Sequence, residues 1–323
     1  MPRLLLVYLL ATFALTTPYS TTFAADDEAW LILQKASQAA RELSYQGVFM
    51  YQSEGNAKSV QITHMNYGQG EYARMVVLDG TPREVLSQGN DVVIFSPKNE
   101  KVVIEKRRGQ NMFPALLPAN MAVIKLSYQA RLGDVERIGG REGQVVYLEP
   151  RDNLRYGYKF WADKQYGLLL KAMTANERKE PMEQMAFSQL TLMSGQNMDW
   201  FQPNVDLHKT YVMEETNAAI TPADTVRWTV AKIPPGYRKT DEVQRTVPGK
   251  SSPLTHILFS DGLASVSLFI EMLPKNAQPK KGHSTMGATN LYANTIDGYQ
   301  IVVVGEVPEA TVAQFATAVT FKK

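Results

Sequence analysis

Between Glu71 and Ser96 the chain alternates polar and apolar positions with a period of two. Tyr72, Arg74, Val76 and Leu78 fall on one face, and Ala73, Met75 and Val77 on the other. Asp79-Gly80 and Thr81-Pro82 break the run before Arg83-Glu84-Val85-Leu86, and Gln88-Gly89-Asn90-Asp91 breaks it again before Val92-Val93-Ile94-Phe95. Such alternation, punctuated by Gly, Pro and Asn, predicts an antiparallel meander. Its third strand is apolar on both faces, so the sheet must be covered on both sides or must wrap around something apolar.

The same rhythm continues on either side. Strands are predicted at Gly47–Gln52, Val60–Met65, Lys101–Glu105, Glu142–Leu148, Tyr156–Ala162, Gly167–Met173 and Met185–Met193. Short strands without long intervening helices imply an antiparallel sheet, and a sheet this wide is expected to curve strongly or to close partly into a barrel. Ahead of it, Asp26-Asp27-Glu28 opens a helix running to about Leu43, with acidic residues in the first turn. Its stripe of Trp30, Leu33, Ala36 or Ser37, Ala40 and Leu43 is expected to dock on the outside of the sheet.

Asn111–Lys125 interrupts the pattern with two prolines among Met112, Phe113, Leu116, Leu117 and Met121. A loop with that much apolar surface folds over something. It is either a plug capping the open end of the sheet or a movable flap over a ligand cavity, and the pattern alone does not separate the two.

Residues 201–222 are polar and aperiodic, as in a linker. Beyond them, strands at Val226–Val230, Val243–Val247, Leu254–Phe259, Ala264–Met272, Gly287–Thr295 and Tyr299–Glu306 precede a helix at Ala310–Val319. Asp261-Gly262 and Asp297-Gly298 are hairpin signals. The expected organisation is a large mainly-β domain over 25–200, the linker, and a smaller α+β domain over 223–323.

Residues 1–24 read as a signal peptide. Arg3 precedes an apolar stretch from Leu4 to Leu15, and Thr22-Phe23-Ala24 supplies small residues at a cleavage site. The stretch is shorter than the ~20 residues of a membrane span, and no later segment approaches that length. The expected mature chain is exported, without a transmembrane segment, and starts near Ala25.

Composition then narrows the chemistry. With 34 basic against 32 acidic residues, the net charge of +2 leaves no footprint for nucleic acid. Lys106-Arg107-Arg108, a tight basic run, reads first as a solvated turn. Without cysteine there is no disulfide, thiol catalyst or thiolate metal site. His64, His208, His256 and His283 are isolated, so no metal is expected. Gly68-Gln69-Gly70-Glu71-Tyr72-Ala73 matches a dinucleotide pattern but leads into a strand, where no helix N-terminus can receive a pyrophosphate. Gly249-Lys250-Ser251 resembles the end of a P-loop whose first glycine is replaced by Gln244. No G-x-S-x-G elbow occurs. The residues point to an exported binding or regulatory protein with no cofactor, not an enzyme.

Several stretches, taken in order, resemble one family. They are Leu78-Asp79-Gly80-Thr81-Pro82-Arg83-Glu84-Val85, Phe160-Trp161-Ala162-Asp163 through Gly167-Leu168, Phe259-Ser260-Asp261-Gly262-Leu263, and Gly287-Ala288-Thr289-Asn290 through Gly298-Tyr299-Gln300 and Val304-Gly305-Glu306-Val307-Pro308. Together they resemble the RseB/MucB family, periplasmic negative regulators of the sigma-E (AlgU-type) envelope-stress response. The resemblance implies a periplasmic location and a large domain like the unclosed β-barrel of the lipoprotein carriers LolA and LolB, with helices filling its opening. It implies a C-terminal domain that binds the periplasmic part of the anti-sigma factor RseA (MucA-type) and shields it from the site-1 protease DegS. Lipopolysaccharide or mislocalised lipoprotein would release the regulator; a homo-oligomer is allowed.

For acyl chains the candidate lining residues are Phe95, Phe113, Leu116, Leu117 and Met121, with core packing as the competing reading of each. For the protein partner they are Tyr237, Phe259 and Tyr299, which serve equally well as core aromatics. The other functional reading is a lipid or lipoprotein carrier, against which the second domain weighs.

Overall fold

A computed structural model describes residues 21–321, except 69, 90, 97–100, 107–111, 196, 203–211, 216–227, 246–252 and 275. Most of the leader, the basic run beyond Lys106 and the P-loop-like segment therefore lie outside the described residues.

The first helix, α1, spans Thr21–Glu42. Its expected start at Asp26 is corrected: no Gly or Pro interrupts Thr22–Ala25, so Asp26-Asp27-Glu28 fall in the second turn. Ala29, Leu33, Ala36 and Ala40 repeat at helical spacing and are all fully buried.

A large sheet follows. Its strands are β1 (Tyr45–Ser53), β2 (Asn56–Tyr67), β3 (Gly70–Val77), β4 (Arg83–Gln88), β5 (Asp91–Ser96), β6 (Lys101–Lys106), β7 (Tyr128–Ile138), β8 (Arg141–Pro150), β9 (Gly157–Asp163), β10 (Leu169–Ala175), β11 (Pro181–Leu192) and β12 (Val212–Glu215). The spatial order is β12-β6-β5-β4-β3-β2-β1-β11-β10-β9-β8-β7. Neighbours are antiparallel except β12, which joins β6 in parallel. The outer strands β12 and β7 do not pair with each other, so the sheet is unclosed.

Two of these strands escape the period-two reading. Along β7 the register shifts between Leu132 and Val135, and this bulge breaks the phase of an edge strand crowded with charge. The segment 201–222, read as a linker, contributes β12.

Curvature follows from what faces what. β4 and β9 stand six strands apart, roughly 29 Å in a flat sheet at ~4.8 Å per strand. Val85 on β4 and Tyr158 on β9 nevertheless line one cavity, so the sheet curls into a trough.

Helix α1 lies inside this trough, not outside as its stripe alone suggests. Its buried residues form one core cluster with Phe113, Leu117 and Met121 of the insert and with inward-facing Phe49, Phe160 and Ala172. On the convex face the cover comes from long charged side chains, beneath which Val145 and Trp161 are buried. There the Lys159 and Lys171 ammonium groups sit 4.5 and 4.7 Å from the Trp161 ring centroid, and Trp161 Nε1 donates to Glu136 at 2.7 Å. A short helix, α2 (Ala122–Lys125), closes the insert.

The C-terminal part is a separate sheet in the order β14-β15-β16-β19-β18-β17. Its strands are β14 (Arg238–Arg245), β15 (Leu254–Ser260), β16 (Ser265–Met272), β17 (Gly282–Met286), β18 (Thr289–Ile296) and β19 (Tyr299–Gly305). Helix α3 (Glu309–Thr317) covers one face through Val312, Phe315 and Ala316. A ribbon of β13 (Trp228–Val230) and β20 (Val319–Phe321) completes it. At the β18–β19 turn, Asp297 and Gly298 have φ of 48° and 82°, the two positive values a type I′ hairpin needs.

Candidate functional site

The trough encloses a cavity of about 470 Å³. Alternation along the strands decides its chemistry. Phe49, Val60 and Val77 lie side by side on β1, β2 and β3, and one step deeper Met75 pairs with Val85. On the opposite wall Phe160 pairs with Ala172, and Ala172 with Met185. The next row outward turns polar: Tyr51 lies beside Lys58, and Thr174 beside Glu183. The hollow is therefore apolar within and charged at its rim, which holds Lys58, Arg83, Glu183 and Glu306. Tyr51 donates to Glu183 Oε1 at 2.7 Å. Burial, and after it this bond, pushes the phenol up to about 12.

The insert forms the lid of this cavity. Met112, Phe113 and Leu116 face it, and Phe113 packs edge-on against Phe49 with ring centroids 5.0 Å apart. The following residues are anchored to α1. Ser37 Oγ donates to the Pro118 carbonyl at 2.8 Å, and Arg41 Nη2 to the Leu117 carbonyl at 2.8 Å.

The C-terminal domain supplies the remaining wall through Leu263, Ala264, Ala288 and Glu306. Beside it the two domains are clasped by Arg155, whose side chain is entirely buried. Arg155 grips Asp152 in two-pronged fashion at 2.9 and 3.0 Å, donates to Asp261 Oδ2 at 2.9 Å and to the Pro235 carbonyl at 2.6 Å. Its guanidinium lies 4.9 Å from the Tyr237 ring centroid and 5.7 Å from that of Tyr128. Neighbouring groups join the grip: Tyr237 and Thr311 hydroxyls donate to the Leu154 carbonyl, and Asn290 donates to the Tyr156 hydroxyl.

Of the five residues expected to line an acyl cavity, Phe113 and Leu116 face the hollow of the trough. Phe95 does not: it pairs with Glu84, one position out of phase with cavity-lining Val85, and so falls on the opposite face. Leu117 and Met121 are 0% and 4% exposed and pack in the core beneath α1. Among the residues expected to meet the partner, Phe259 is 2% exposed against Phe315, and Tyr237 is 6% exposed between Arg155 and Phe315. Tyr299 is half-buried beside Trp228 and Phe321. The sequence reading missed Phe49, Met75 and Phe160, whose signal was their period-two phase once the strand register is known. It also missed Arg155, which carries no sequence signal. Among the described residues no group of His, Asp and Glu could hold a metal ion, and no helix is long and apolar enough to cross a membrane.

A strongly curved, unclosed antiparallel sheet joined to a smaller sheet domain, with an apolar cavity walled by both, defines a two-domain, mainly-β protein. Residues 27–205 match the model of the MucB/RseB N-terminal domain, and residues 222–320 that of the MucB/RseB C-terminal domain. The chain belongs to the MucB/RseB family. It is 30% identical over 304 residues to the sigma factor AlgU regulatory protein MucB of Pseudomonas aeruginosa, covering 92% of each chain. It is 24% identical over 291 residues to the sigma-E factor regulatory protein RseB of Haemophilus influenzae, covering 90% of each. The solved complex of Pseudomonas aeruginosa MucA and MucB contains a chain 28% identical, with a TM-score of 0.74 over 92% of this chain and 99% of that one.

Proposed function

We propose that this protein is a periplasmic regulator that holds the periplasmic segment of a membrane-bound anti-sigma factor of the MucA/RseA type. While bound, it keeps that segment from site-1 proteolysis. An acyl chain of lipopolysaccharide or of a mislocalised lipoprotein enters the cavity and releases it. The observation that carries the ligand half is the cavity itself: a hydrocarbon chain placed among Phe49, Val60, Met75, Phe113, Leu116 and Phe160 gains ~0.8 kcal/mol per buried CH₂. The partner half is supported by relatives solved with MucA, one of them in complex with "MucA(peri)". For the contact surface we favour the aromatic group of Tyr299, Trp228 and Phe321, with Met272, 51% exposed, beside it in register.

Release is thermodynamic linkage: a lipid that binds the free form better than the partner-bound form weakens partner binding by the same coupling free energy. Titration calorimetry of the mature chain with the cognate anti-sigma segment tests this. Tight binding that is lost on adding lipopolysaccharide is expected; partner affinity unchanged by lipid overturns the release step. Leu116→Asp, which faces the cavity, is expected to keep the fold and weaken palmitate binding at least tenfold. Wild-type palmitate affinity in that variant overturns the cavity assignment. Tyr299→Asp weakens the anti-sigma segment if the aromatic group is the contact surface.

A further inference from the structure

The turn between β15 and β16, Ser260–Ala264, touches the cavity and the domain boundary at once. Leu263 and Ala264 line the cavity. Asp261 holds the turn in shape, since its Oδ1 accepts from the backbone N–H groups of Leu263 and Ala264, both at 2.9 Å. The other oxygen, Oδ2, faces the N-terminal domain and accepts from Arg155 Nη1 at 2.9 Å and from the Tyr128 hydroxyl at 3.1 Å. One carboxylate thus caps the cavity wall with one oxygen and holds the domain clasp with the other. The turn has little slack. Gly262 has a φ of 103°, and a Cβ there would come within 2.8 Å of Val123 and Ile124 on α2.

We propose that cavity and clasp are one coupled unit, with the turn Ser260–Ala264 as the element that passes occupancy of the cavity to Arg155 and the 151–156 segment. An acyl chain touching Leu263 and Ala264 binds the clasped arrangement of the domains in preference to a loosened one. The inference rests on the reading of the cavity as an acyl site. A ligand shifts an equilibrium only by its differential affinity for the two states, and here the difference is the wall that the C-terminal domain supplies. By reciprocity the chain tightens the clasp by the factor with which the clasp tightens the chain. In the regulatory cycle the anti-sigma segment then engages the loosened arrangement, which is how a lipid filling the cavity displaces it.

Residues 151–156 do not line the cavity, so their response separates coupling from simple contact. Hydrogen exchange of the mature chain with and without palmitate reads it. The expected result is slower exchange in 112–117 and, by about fivefold or more, also in 151–156. In Leu263→Ser, palmitate still slows 112–117 but leaves 151–156 unchanged. Asp261→Asn retains an oxygen for the two turn amides but loses the second acceptor, and is expected to give the same split without loss of the wall. Protection of 112–117 alone in the wild type, or an unaltered response of 151–156 in both variants, overturns the coupling and leaves the acyl site standing. No protection anywhere overturns the acyl site and the coupling with it.

Discussion

Arg155 and Asp261 meet at 2.9 Å across the domain boundary, and neither side chain reaches solvent. Taking both charges out of water is costly, and the pair persists because Asp152, Tyr128, Pro235 and the turn amides satisfy the remaining donors and acceptors. Removing one partner alone leaves the other buried and unpaired. Arg155→Met is therefore expected to lower stability by about 3–5 kcal/mol. Adding Asp261→Asn, which removes the orphaned charge but keeps an oxygen for the turn amides, recovers part of that loss. Urea denaturation of the single and double variants measures the coupling.

Gly236 sits against the same clasp with a φ of 82°, and a Cβ there would run into Ser127 Oγ and lie 3.0 Å from Arg155 Nη1. Gly298 has the same φ with nothing within 4 Å. Gly298→Ala carries only the backbone penalty, about 1–2 kcal/mol. Gly236→Ala adds a clash and is expected to cost at least about 1 kcal/mol more. The difference between the two urea midpoints checks it.

Among the side chains that anchor the insert to α1, the Ser37 hydroxyl holds the Pro118 carbonyl and also accepts from Arg41. Ser37→Ala removes the bond to the Pro118 carbonyl and an acceptor for Arg41, a loss of about 1 kcal/mol. Hydrogen exchange is expected to speed up in 117–121 first, with β8 and β9 unaffected. Uniform acceleration across the domain would instead mark a general loss of packing.

Tyr51 sets an alkaline limit. Its folded value of about 12 lies above the ordinary 10, through burial first and the Glu183 bond second. The fold thus favours the neutral phenol. That contribution is complete below pH 10 and is lost as the pH climbs from 10 towards 12. Burial raises Tyr45, Tyr128 and Tyr237 in the same direction. Stability is expected to fall over this range, and Glu183→Gln lowers the Tyr51 midpoint in an ultraviolet titration.

Local pattern was enough for most strands, because a half-buried strand must alternate and a hairpin turn must accept positive φ, as Asp297-Gly298 does. It was not enough for β7, whose bulge breaks the alternation, or for β17, whose five residues are all exposed and so carry no apolar phase. Pattern also could not say on which face of the sheet α1 rests. An amphipathic stripe specifies that a helix docks, and only the curl of the sheet decides that it docks inside.

The site divides in the same way. The chain by itself determined an apolar insert, a curved antiparallel sheet and a second β domain, since each follows from the burial that neighbouring residues demand of one another. Tertiary structure alone decided that Phe113 and Leu116 face the cavity while Leu117 is sealed beneath α1 and Phe95 points away, because strand phase and helix position are set by partners far along the chain. It alone decided that Arg155 finds Asp261, 106 residues distant: a charge pair that remote leaves no periodic trace and exists only once the two domains meet.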